Sequence, residues 1–253
     1  MLTERLSMIK FNYNLSIAAI MKYEDPYVLE WVAYHHCIGI NHFYIFDNDE
    51  NSGLSKILHK YIDEEIVTLI HAPGPTMMFK CYNQVINSYK DESKYIAFID
   101  ADEFIVPIED TNVFDVIDQL ITKYKQNDPK VSGLVMKWAV YGSGNHINKP
   151  EGLMIENYLW KENGEADKHV KTVVDPRAVS SFNNPHFPLY KNNYYSVDER
   201  GSKCAGPFLF IDNRDIIRVN HYYYKSEKEF RNSLNNKMST INPSLKEVRN
   251  LMA

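Results

Sequence analysis

The residues best able to do chemistry in this chain stand in the segment YIAFIDADEFIVP, residues 95–107. Asp100, Asp102 and Glu103 follow directly on an apolar run. An Asp-x-Asp pair at a strand end offers hard oxygen ligands, so one carboxylate can hold a divalent cation while the other orients a bound group. The same pattern occurs in solvated turns, but here Asp102 and Glu103 lie between apolar segments, where an unpaired carboxylate is unfavourable. The motif therefore indicates metal-assisted chemistry on a substrate that carries phosphates.

The elements that must position these acids alternate between strand and helix through the first half of the chain. Apolar runs of strand length lie at residues 15–21, 42–46, 66–72 and 95–99, and helical patterns lie at 28–39, 54–62 and 78–90. We expect Asp25 and Pro26 to begin the first helix as its N-cap and first-turn residues. The alternation predicts an α/β fold with a Rossmann-type, mostly parallel central sheet and helices on both faces.

In such sheets ligands bind beyond the carboxyl ends of the strands. Polar clusters follow three of the predicted strands, at residues 22–25, 47–49 and 100–103. The sequence therefore predicts that these three clusters face one crevice.

The second half of the chain has a different pattern. Strand-like runs lie at residues 131–141, 153–160, 170–174, 208–211 and 216–224, and a helical pattern follows at 227–237. With few helices between the strands, this half is expected to extend the same sheet with mixed or antiparallel strands. We predict a single domain over residues 1–253.

Composition excludes some classes of partner. The net charge is −5 and no long basic run is present, which argues against nucleic acid. The three cysteines lack zinc spacing and indicate reduced thiols. No apolar stretch approaches the ~20 residues that a transmembrane helix needs, and the first residues lack a signal-peptide pattern. We therefore expect a cytoplasmic protein, with peripheral attachment of the C-terminal tail to the inner face of the membrane left open.

Five blocks of the sequence resemble, in order, the bacterial glycosyltransferase family 2-like proteins related to glycosyltransferase family 92. The blocks are AAIMKYEDPYVLEWVAYHHCIGINHFYIFDNDENSG, YIAFIDADEFIVP, WAVYGSGNHINKPEGLMIEN, HVKTVVDPRAV and HYYYKSEKEF. They run from about residue 17 to residue 230. The resemblance implies a GT-A fold that binds a nucleotide sugar, with a nucleotide-binding half at about residues 15–110, a metal-binding Asp-x-Asp and an acceptor-binding half at about residues 130–240.

The resemblance also implies a metal site for Mn²⁺ or Mg²⁺. It assigns Asp100 and Asp102 to the Asp-x-Asp pair, with Asp102 as the direct ligand, and His221 as a third ligand. Lys225 would neutralise the diphosphate of the donor. The alternatives are a strand histidine that donates to a backbone carbonyl and a solvated lysine at a strand end.

Further positions carry over to the nucleotide-sugar site. They are Lys22, Glu24, Asp47, Asn48, Asp100 and Lys171, besides Lys225. Asp47 and Asn48 would lie near the base or ribose, and Lys171 would contact phosphate or acceptor unless it is an exposed strand lysine. The chain departs from the family pattern at Tyr23, where the family usually has Asn, and this departure leaves open a binding domain without turnover.

In the acceptor half, Gly142 and Gly144 permit a loop that approaches a sugar closely, although a plain hairpin turn has the same signature. Trp138 and Trp160 are candidates for stacking on sugar rings, and core packing is the alternative.

Inverting transfer requires a general base. We nominate Glu156 for this role, with Glu103 and Asp175 as the other candidates. A solvent-facing strand residue is the alternative explanation for Glu156.

The function predicted from the sequence is metal-dependent transfer of a hexosyl group from a nucleotide diphosphate donor, a UDP-sugar, to a hydroxyl of a carbohydrate or glycolipid acceptor. The resemblance suggests inversion at the anomeric carbon and a part in polysaccharide biosynthesis. Two rivals remain open at this stage. A metal-dependent phosphoesterase or nucleotidyltransferase could use the same acids, and a nucleotide-sugar binding domain could share the fold without catalysis.

Overall fold

The computed structural model describes residues 10–51, 53–109, 111–162, 165–212 and 214–233, and within these ranges ten strands form one sheet. The strands are β1 (Tyr13–Met21), β2 (His42–Asp47), β3 (Val67–His71), β4 (Ser93–Phe98), β5 (Glu103–Pro107), β6 (Val131–Val140), β7 (Val170–Val174), β10 (Tyr195–Val197), β11 (Lys203–Cys204) and β12 (Ile217–His221), while β8 (Val179–Ser181) and β9 (Leu189–Tyr190) form a separate pair. The helices are α1 (Val28–Cys37), α2 (Leu54–Ile57), α3 (His59–Asp63), α4 (Met78–Ser88), α5 (Val113–Asn127) and α6 (Met154–Asn157).

The sheet has a parallel half and a mixed half. Strands β3, β2, β1 and β4 are neighbours in that order and all run parallel. Beyond β4 the sheet continues through the antiparallel β7 to β6, and β6 pairs in parallel with both β10 and β12. Strand β5 then pairs antiparallel with β12. This arrangement confirms the predicted fold class, with a Rossmann-type half and a mixed extension.

Strand direction determines which residues share an edge of the sheet. Because β7 reverses direction and β6 reverses it again, β6 and β12 run the same way as β1, β2 and β4. The carboxyl end of β12, at His221, therefore lies at the same edge as the carboxyl ends of β1 and β4. The antiparallel strands β5 and β7 begin at this edge, which brings Glu103 and Lys171 to it as well.

Helices cover both faces of the sheet, and strand alternation supplies both cores. One core contains Leu15, Ile17 and Ala19 of β1 and packs against α1 and α5. The other contains Ala18 and packs against α4. A run that is apolar at every position is thus explained by burial on both faces.

Four local predictions from the sequence differ from the structure. Residues 153–160 contain the short helix α6 rather than a strand, because the carboxylate of Glu30 accepts hydrogen bonds from Met154 N and Ile155 N and caps a helical turn there. Residues 208–211 form only an isolated bridge, between Phe208 and His169. The predicted helix at 54–62 is divided into α2 and α3. Helix α1 begins after Tyr27, without a side-chain cap from Asp25.

The predicted C-terminal helix is described over residues 227–233, and the rest of it lies outside the described residues, as does the tail considered for membrane attachment. None of the helices in the described ranges has the length and apolar character needed to cross a bilayer.

Substitution of Gly133 by alanine should destabilise the sheet where β6, β7 and β10 meet. A Cβ at this position would lie 2.8 Å from the carbonyl oxygen of Val173 and against the hydroxyls of Tyr190 and Ser196. We expect the Gly133→Ala variant to lose about 1–3 kcal/mol of unfolding free energy in urea titrations. Gly206→Ala is the matched control, because its added Cβ meets nothing within 4 Å. Equal unfolding curves for the two variants would contradict the packing described here.

Candidate functional site

A buried lysine holds two of the predicted acids together. The Nζ atom of Lys171, which is fully buried at the start of β7, lies 2.9 Å from Asp100 Oδ2 and 3.4 Å from Glu103 Oε2. The second oxygen of each carboxylate is buried without a hydrogen-bond partner among the described residues. Burial raises the pKa of Glu103, and the charge of Lys171 opposes this shift. For Lys171, burial opposes the ammonium form, but the two carboxylates outweigh it and raise its pKa. The lysine is therefore a charged structural partner of the acids, and it is not an exposed strand residue.

The other acid of the Asp-x-Asp pair faces the histidine. Asp102 Oδ1 lies 3.4 Å from His221 Nε2, and both side chains are buried at the carboxyl edge. The Nδ1 atom of His221 has no hydrogen-bond partner in the described part of the chain, so this ring does not donate to a backbone carbonyl. Burial opposes the protonated ring, but the negative charges of Asp102 and Glu103 outweigh this effect and raise the pKa of His221.

Trp138 lies behind this pair within a cluster of histidine rings. Its ring centroid is 4.2 Å from that of His221, 4.9 Å from that of His169 and 5.0 Å from that of His186. Burial lowers the pKa of His186, and the positive charge of Lys171 lowers it further, so this ring is neutral at neutral pH. Trp138 is nearly buried, and its packing against His221 fixes the plane of that ring.

Lys225 reaches back to the end of the first strand. Its Nζ donates to Glu24 Oε2 at 2.8 Å and lies 4.5 Å from the ring centroid of Tyr27. The backbone φ of Lys225 is +48° and that of Tyr23 is +62°, values that non-glycine residues rarely adopt. These two turns bring Glu24 and Lys225 together from opposite ends of the sequence.

Asn48, which follows β2, shapes the neighbouring loop. Its Nδ2 donates to Ala72 O at 2.7 Å and to Gly74 O at 2.8 Å. The side chain of Asp47 instead accepts from Asp49 N at 3.1 Å and does not line the cavities described next. Asn48 therefore lines the cavities described next, and Asp47 supports the turn beneath it.

Four adjoining cavities run along the carboxyl edge and share lining residues. The first, of about 550 Å³, includes Asn48, Asp49 and Gly74. The second, of about 380 Å³, includes Asp100, Asp102, His186 and His221 and shares Lys22 and Asn48 with the first. Together they form a continuous crevice from the end of β2 to the end of β12, where the sequence predicts the nucleotide diphosphate.

The crevice continues toward the second half of the chain. A third cavity, of about 320 Å³, shares Lys22, Glu24, Asp102 and Tyr223 with the second and also includes Lys225. A fourth, of about 500 Å³, shares Tyr224 and Phe230 with the third. Its other walls come from the glycine-containing loop, from the 160–162 segment and from the start of the C-terminal helical turn. The lining residues are Gly142, Ser143, Asn145 and His146 of the loop, Trp160, Lys161 and Glu162, and Glu227 of the helical turn.

Hydrogen bonds from the C-terminal helical turn hold that loop. Glu227 N donates to His146 O at 2.9 Å and Lys228 N donates to Ile147 O at 3.0 Å. The carboxylate of Glu229 accepts from Tyr27 and from Tyr158, at 2.5 and 3.2 Å. Hydrogen bonds thus hold the wall of the fourth cavity to the residues that follow β12, and these in turn to Tyr27 at the start of α1.

The three residues nominated from the sequence as general base do not reach this crevice. Glu156 lies exposed on α6 and lines none of the four cavities. Glu103 is fully buried against Lys171. Asp175 follows the far end of β7, where it pairs with Arg177 at 2.8 Å. In addition, no three His, Cys, Asp or Glu side chains of the described residues are arranged as ligands of one ion, and Asp100 is paired with Lys171.

Some residues of the crevice were not found from the sequence. His186 lines the second cavity, and Glu162, Tyr224 and Phe230 line the fourth. His186 and Glu162 lie outside the predicted strands and helices, whereas Tyr224 and Phe230 lie within predicted elements that carry no signal of a site.

Fold and site together define the class: an α/β protein of GT-A-like architecture, with a charged crevice at the carboxyl edge of its parallel strands. A sequence profile described as glycosyltransferase family 92 matches residues 13–250. The chain belongs to glycosyltransferase family 92. This result confirms the relationship to family 92 that the sequence blocks indicated, while the bacterial, family 2-like part of the resemblance stays a prediction.

Plant proteins of the same family are similar over nearly the whole chain. A family 92 glycosyltransferase protein of Oryza sativa subsp. japonica is 19% identical over 90% of this chain. One of Arabidopsis thaliana is 20% identical over 98% of this chain. The chain spans only 36% and 41% of the length of these two relatives.

Among solved structures, the chain is similar to residues 1–349 of S. aureus TarS in complex with UDP, with a TM-score of 0.38, 14% identity and coverage of 50% of this chain and 36% of that one. A 4-diphosphocytidyl-2C-methyl-D-erythritol synthase from Anaerococcus prevotii gives a TM-score of 0.34 and 12% identity, with coverage of 66% and 71%.

Replacement of Lys171 by methionine should destabilise the protein in a pH-dependent way. The variant leaves Asp100 and Glu103 without their counter-charge, and we expect a loss of about 3–5 kcal/mol at pH 7. Without the ammonium group, the pKa of Glu103 in the folded state lies further above the value of about 4.3 in an unfolded chain. The folded variant then binds a proton that the unfolded chain releases, so its unfolding free energy falls as the pH rises above about 4.3.

Denaturant titrations at pH 5 and pH 7 measure this effect, and the loss relative to the unsubstituted protein should be smaller at pH 5. Lys94→Met is the matched control, because Lys94 makes a partly exposed pair with Asp118 and should change stability by only about 0–1 kcal/mol. A loss at Lys171 that is the same at both pH values would contradict the assigned role.

Proposed function

We propose that this protein is a metal-dependent glycosyltransferase that moves a sugar from a nucleotide diphosphate donor, a UDP-sugar, to a hydroxyl of a carbohydrate or glycolipid acceptor, with inversion at the anomeric carbon. The observation that carries the proposal is the Asp102–His221 pair at the carboxyl edge, between a crevice toward β2 and a cavity toward the glycine loop. Membership of glycosyltransferase family 92 supports the same reaction.

The donor would occupy the crevice from Asn48 to His221. The first cavity, at the end of β2, has the size and the amide groups for a nucleoside. Lys22 lines three of the four cavities, so its ammonium group is available to phosphate oxygens at the point where they meet. Lys225 contributes a second positive charge, which Glu24 holds in place. Paired positive charges of this kind favour binding of a diphosphate and its departure as a leaving group.

The residues at the edge fit a divalent cation, Mn²⁺ or Mg²⁺. The Oδ1 atom of Asp102 and the Nε2 atom of His221, 3.4 Å apart, suit two ligands of one ion, and Oδ1 of Asp100 is buried without a hydrogen-bond partner in the described ranges. Asp102 and His221 would hold the ion, and phosphate oxygens of the donor commonly complete such sites. When bound, the ion would offset the negative charge that develops on the departing diphosphate. Lys171 would keep Asp100 and Glu103 from drawing this ion deeper into the protein.

The acceptor would enter the fourth cavity, under the glycine loop. Gly144 has a φ of +59°, and the Trp160 ring lies against it, which keeps the indole at the mouth of this cavity. Trp160 is 74% exposed, so its face is available to a sugar ring. Trp138, by contrast, is packed among histidine rings and would orient His221 rather than stack on a sugar.

Binding of the donor nucleotide should require both the metal and Asp102. We expect UDP at a hundred times its dissociation constant, with Mn²⁺, to add about 2.7 kcal/mol of stability, seen as a raised unfolding midpoint. The shift should vanish with a chelator and in the Asp102→Asn variant, and GDP should give no comparable shift. Asp63→Asn, which changes an exposed aspartate on α3, is the matched control and should retain the shift. Stabilisation by UDP that persists with the chelator would reject the metal site.

Removal of the Trp160 ring should weaken the acceptor alone. For Trp160→Ala we expect the KM for the acceptor to rise by up to about 10-fold, since one stacking contact contributes roughly 0.5–1.5 kcal/mol, with the UDP-induced shift unchanged. Leu159→Ala is the control, because Leu159 is 66% exposed but does not line the cavity. Equal changes in KM for the two variants would place the acceptor elsewhere.

A further inference from the structure

The segment from Trp160 to Glu162 forms an additional edge along the end of β6. Gly142 N donates to Trp160 O at 2.8 Å and Glu162 N donates to Val140 O at 2.7 Å, with Tyr141 and Lys161 as the bridged pair between them. This antiparallel pairing places Glu162 opposite Val140. Residues that face each other on neighbouring strands have side chains on the same side of the sheet.

The pairing relates Glu162 to the metal-ligand candidate. On the other side of β6, Val140 is in register with His221. Glu162 and His221 therefore flank the same residue and project to the same side of the sheet. Since neighbouring strands lie about 4.8 Å apart, the two backbones are separated by roughly 10 Å. The buried side chain of Val140 lies between them, so a ligand that reaches both Glu162 and His221 would pass over this residue.

The carboxylate of Glu162 is unusual within the fourth cavity. Its Oε2 is buried and has no hydrogen-bond partner among the described residues. The cavity is also lined by Glu227, but that carboxylate is exposed and is paired with Arg231 at 2.6 Å. An orphaned carboxylate oxygen is unfavourable unless a ligand supplies a donor. Burial raises the pKa of Tyr224, and the charge of Glu162 and a hydrogen bond to its carboxylate raise it further, which places the carboxylate against the residue that joins the third and fourth cavities.

We propose that Glu162 is the general base of this site and that its Oε2 accepts the proton of the attacking acceptor hydroxyl. This inference rests on the proposed glycosyl transfer. The acceptor O–H bond breaks as its proton passes to Glu162, and the oxygen forms a bond to the anomeric carbon. The bond from that carbon to the diphosphate oxygen breaks, and its electron pair leaves with the nucleoside diphosphate. Glu162 then returns the proton to solvent.

The test compares Glu162→Gln with the unsubstituted protein, using UDP release from a panel of UDP-sugars with water or aryl hexosides as acceptors. Glutamine keeps the size of the side chain but cannot take the proton. We expect UDP release to fall by about 10²–10⁴-fold, while the UDP- and Mn²⁺-induced shift in the unfolding midpoint is retained. Glu156→Gln, which changes the exposed acid outside the cavities, should release UDP within about twofold of the unsubstituted protein. Loss of UDP release in Glu156→Gln but not in Glu162→Gln would overturn the assignment.

A second readout separates proton transfer from mere positioning. The best acceptor is compared with its analogue that carries a thiol in place of the accepting hydroxyl, because a thiol ionises near pH 8.5 and needs little help from a base. In Glu162→Gln, transfer to the thiol should fall at least 10-fold less than transfer to the hydroxyl. Equal losses would overturn the role as base and leave a structural one.

The outcome for the unsubstituted protein separates the two proposals. If it binds UDP with Mn²⁺ but releases UDP from no donor, the general base is overturned while the donor site stands. If it binds no nucleotide, the proposed function fails before Glu162 is at issue.

Discussion

The buried ion pair between Lys171 and the acids after β4 is the interaction on which the rest of the site depends. Glu103 is fully buried at the start of β5, where burial raises its pKa, and Lys171 supplies the opposing positive charge to it and to Asp100. The ammonium group comes from a strand that runs in the opposite direction, and this reversal allows it to enter from the same edge. Lys171 offsets the charges of these two acids, and Asp102 and His221 face the crevice.

The mixed half of the sheet has a second consequence for the site. A wholly parallel sheet would require a long crossover between each pair of neighbouring strands. In this sheet the antiparallel β7 lies between β4 and β6, so β6 and its parallel neighbour β12 run in the same direction as β4. Residues more than a hundred positions apart therefore meet at one edge. His221 and Asp102 are neighbours for this reason, and so are Lys225 and Glu24. The site is therefore assembled by topology rather than by any local motif.

Much of the first half could be predicted from the sequence, because its strands are buried on both faces and read as continuous apolar runs separated by helical periods. The acids after β4 could be placed at the carboxyl edge by the same reasoning. The prediction failed where distant contacts decide local structure: Glu30 caps a turn at residues 154–157 and prevents a strand there. Glu162 could not be identified as a site residue from the sequence, because it comes near His221 only through the strand pairing on the two sides of β6. The position of His221 was anticipated through the resemblance, and no property of its neighbours in the sequence would have indicated it.

The fourth cavity has walls of two kinds. Tyr224 and Phe230 belong to the segment that continues from His221, so a change in either would also disturb the third cavity, which they line as well. The loop at residues 142–146 lines the fourth cavity but not the third. Backbone hydrogen bonds at His146 and at the following residue, Ile147, hold it to the C-terminal helical turn. Side chains on this loop can therefore be exchanged while its attachment is kept. Under the proposed function, it is the segment to diversify when the acceptor, and not the donor, is to be changed.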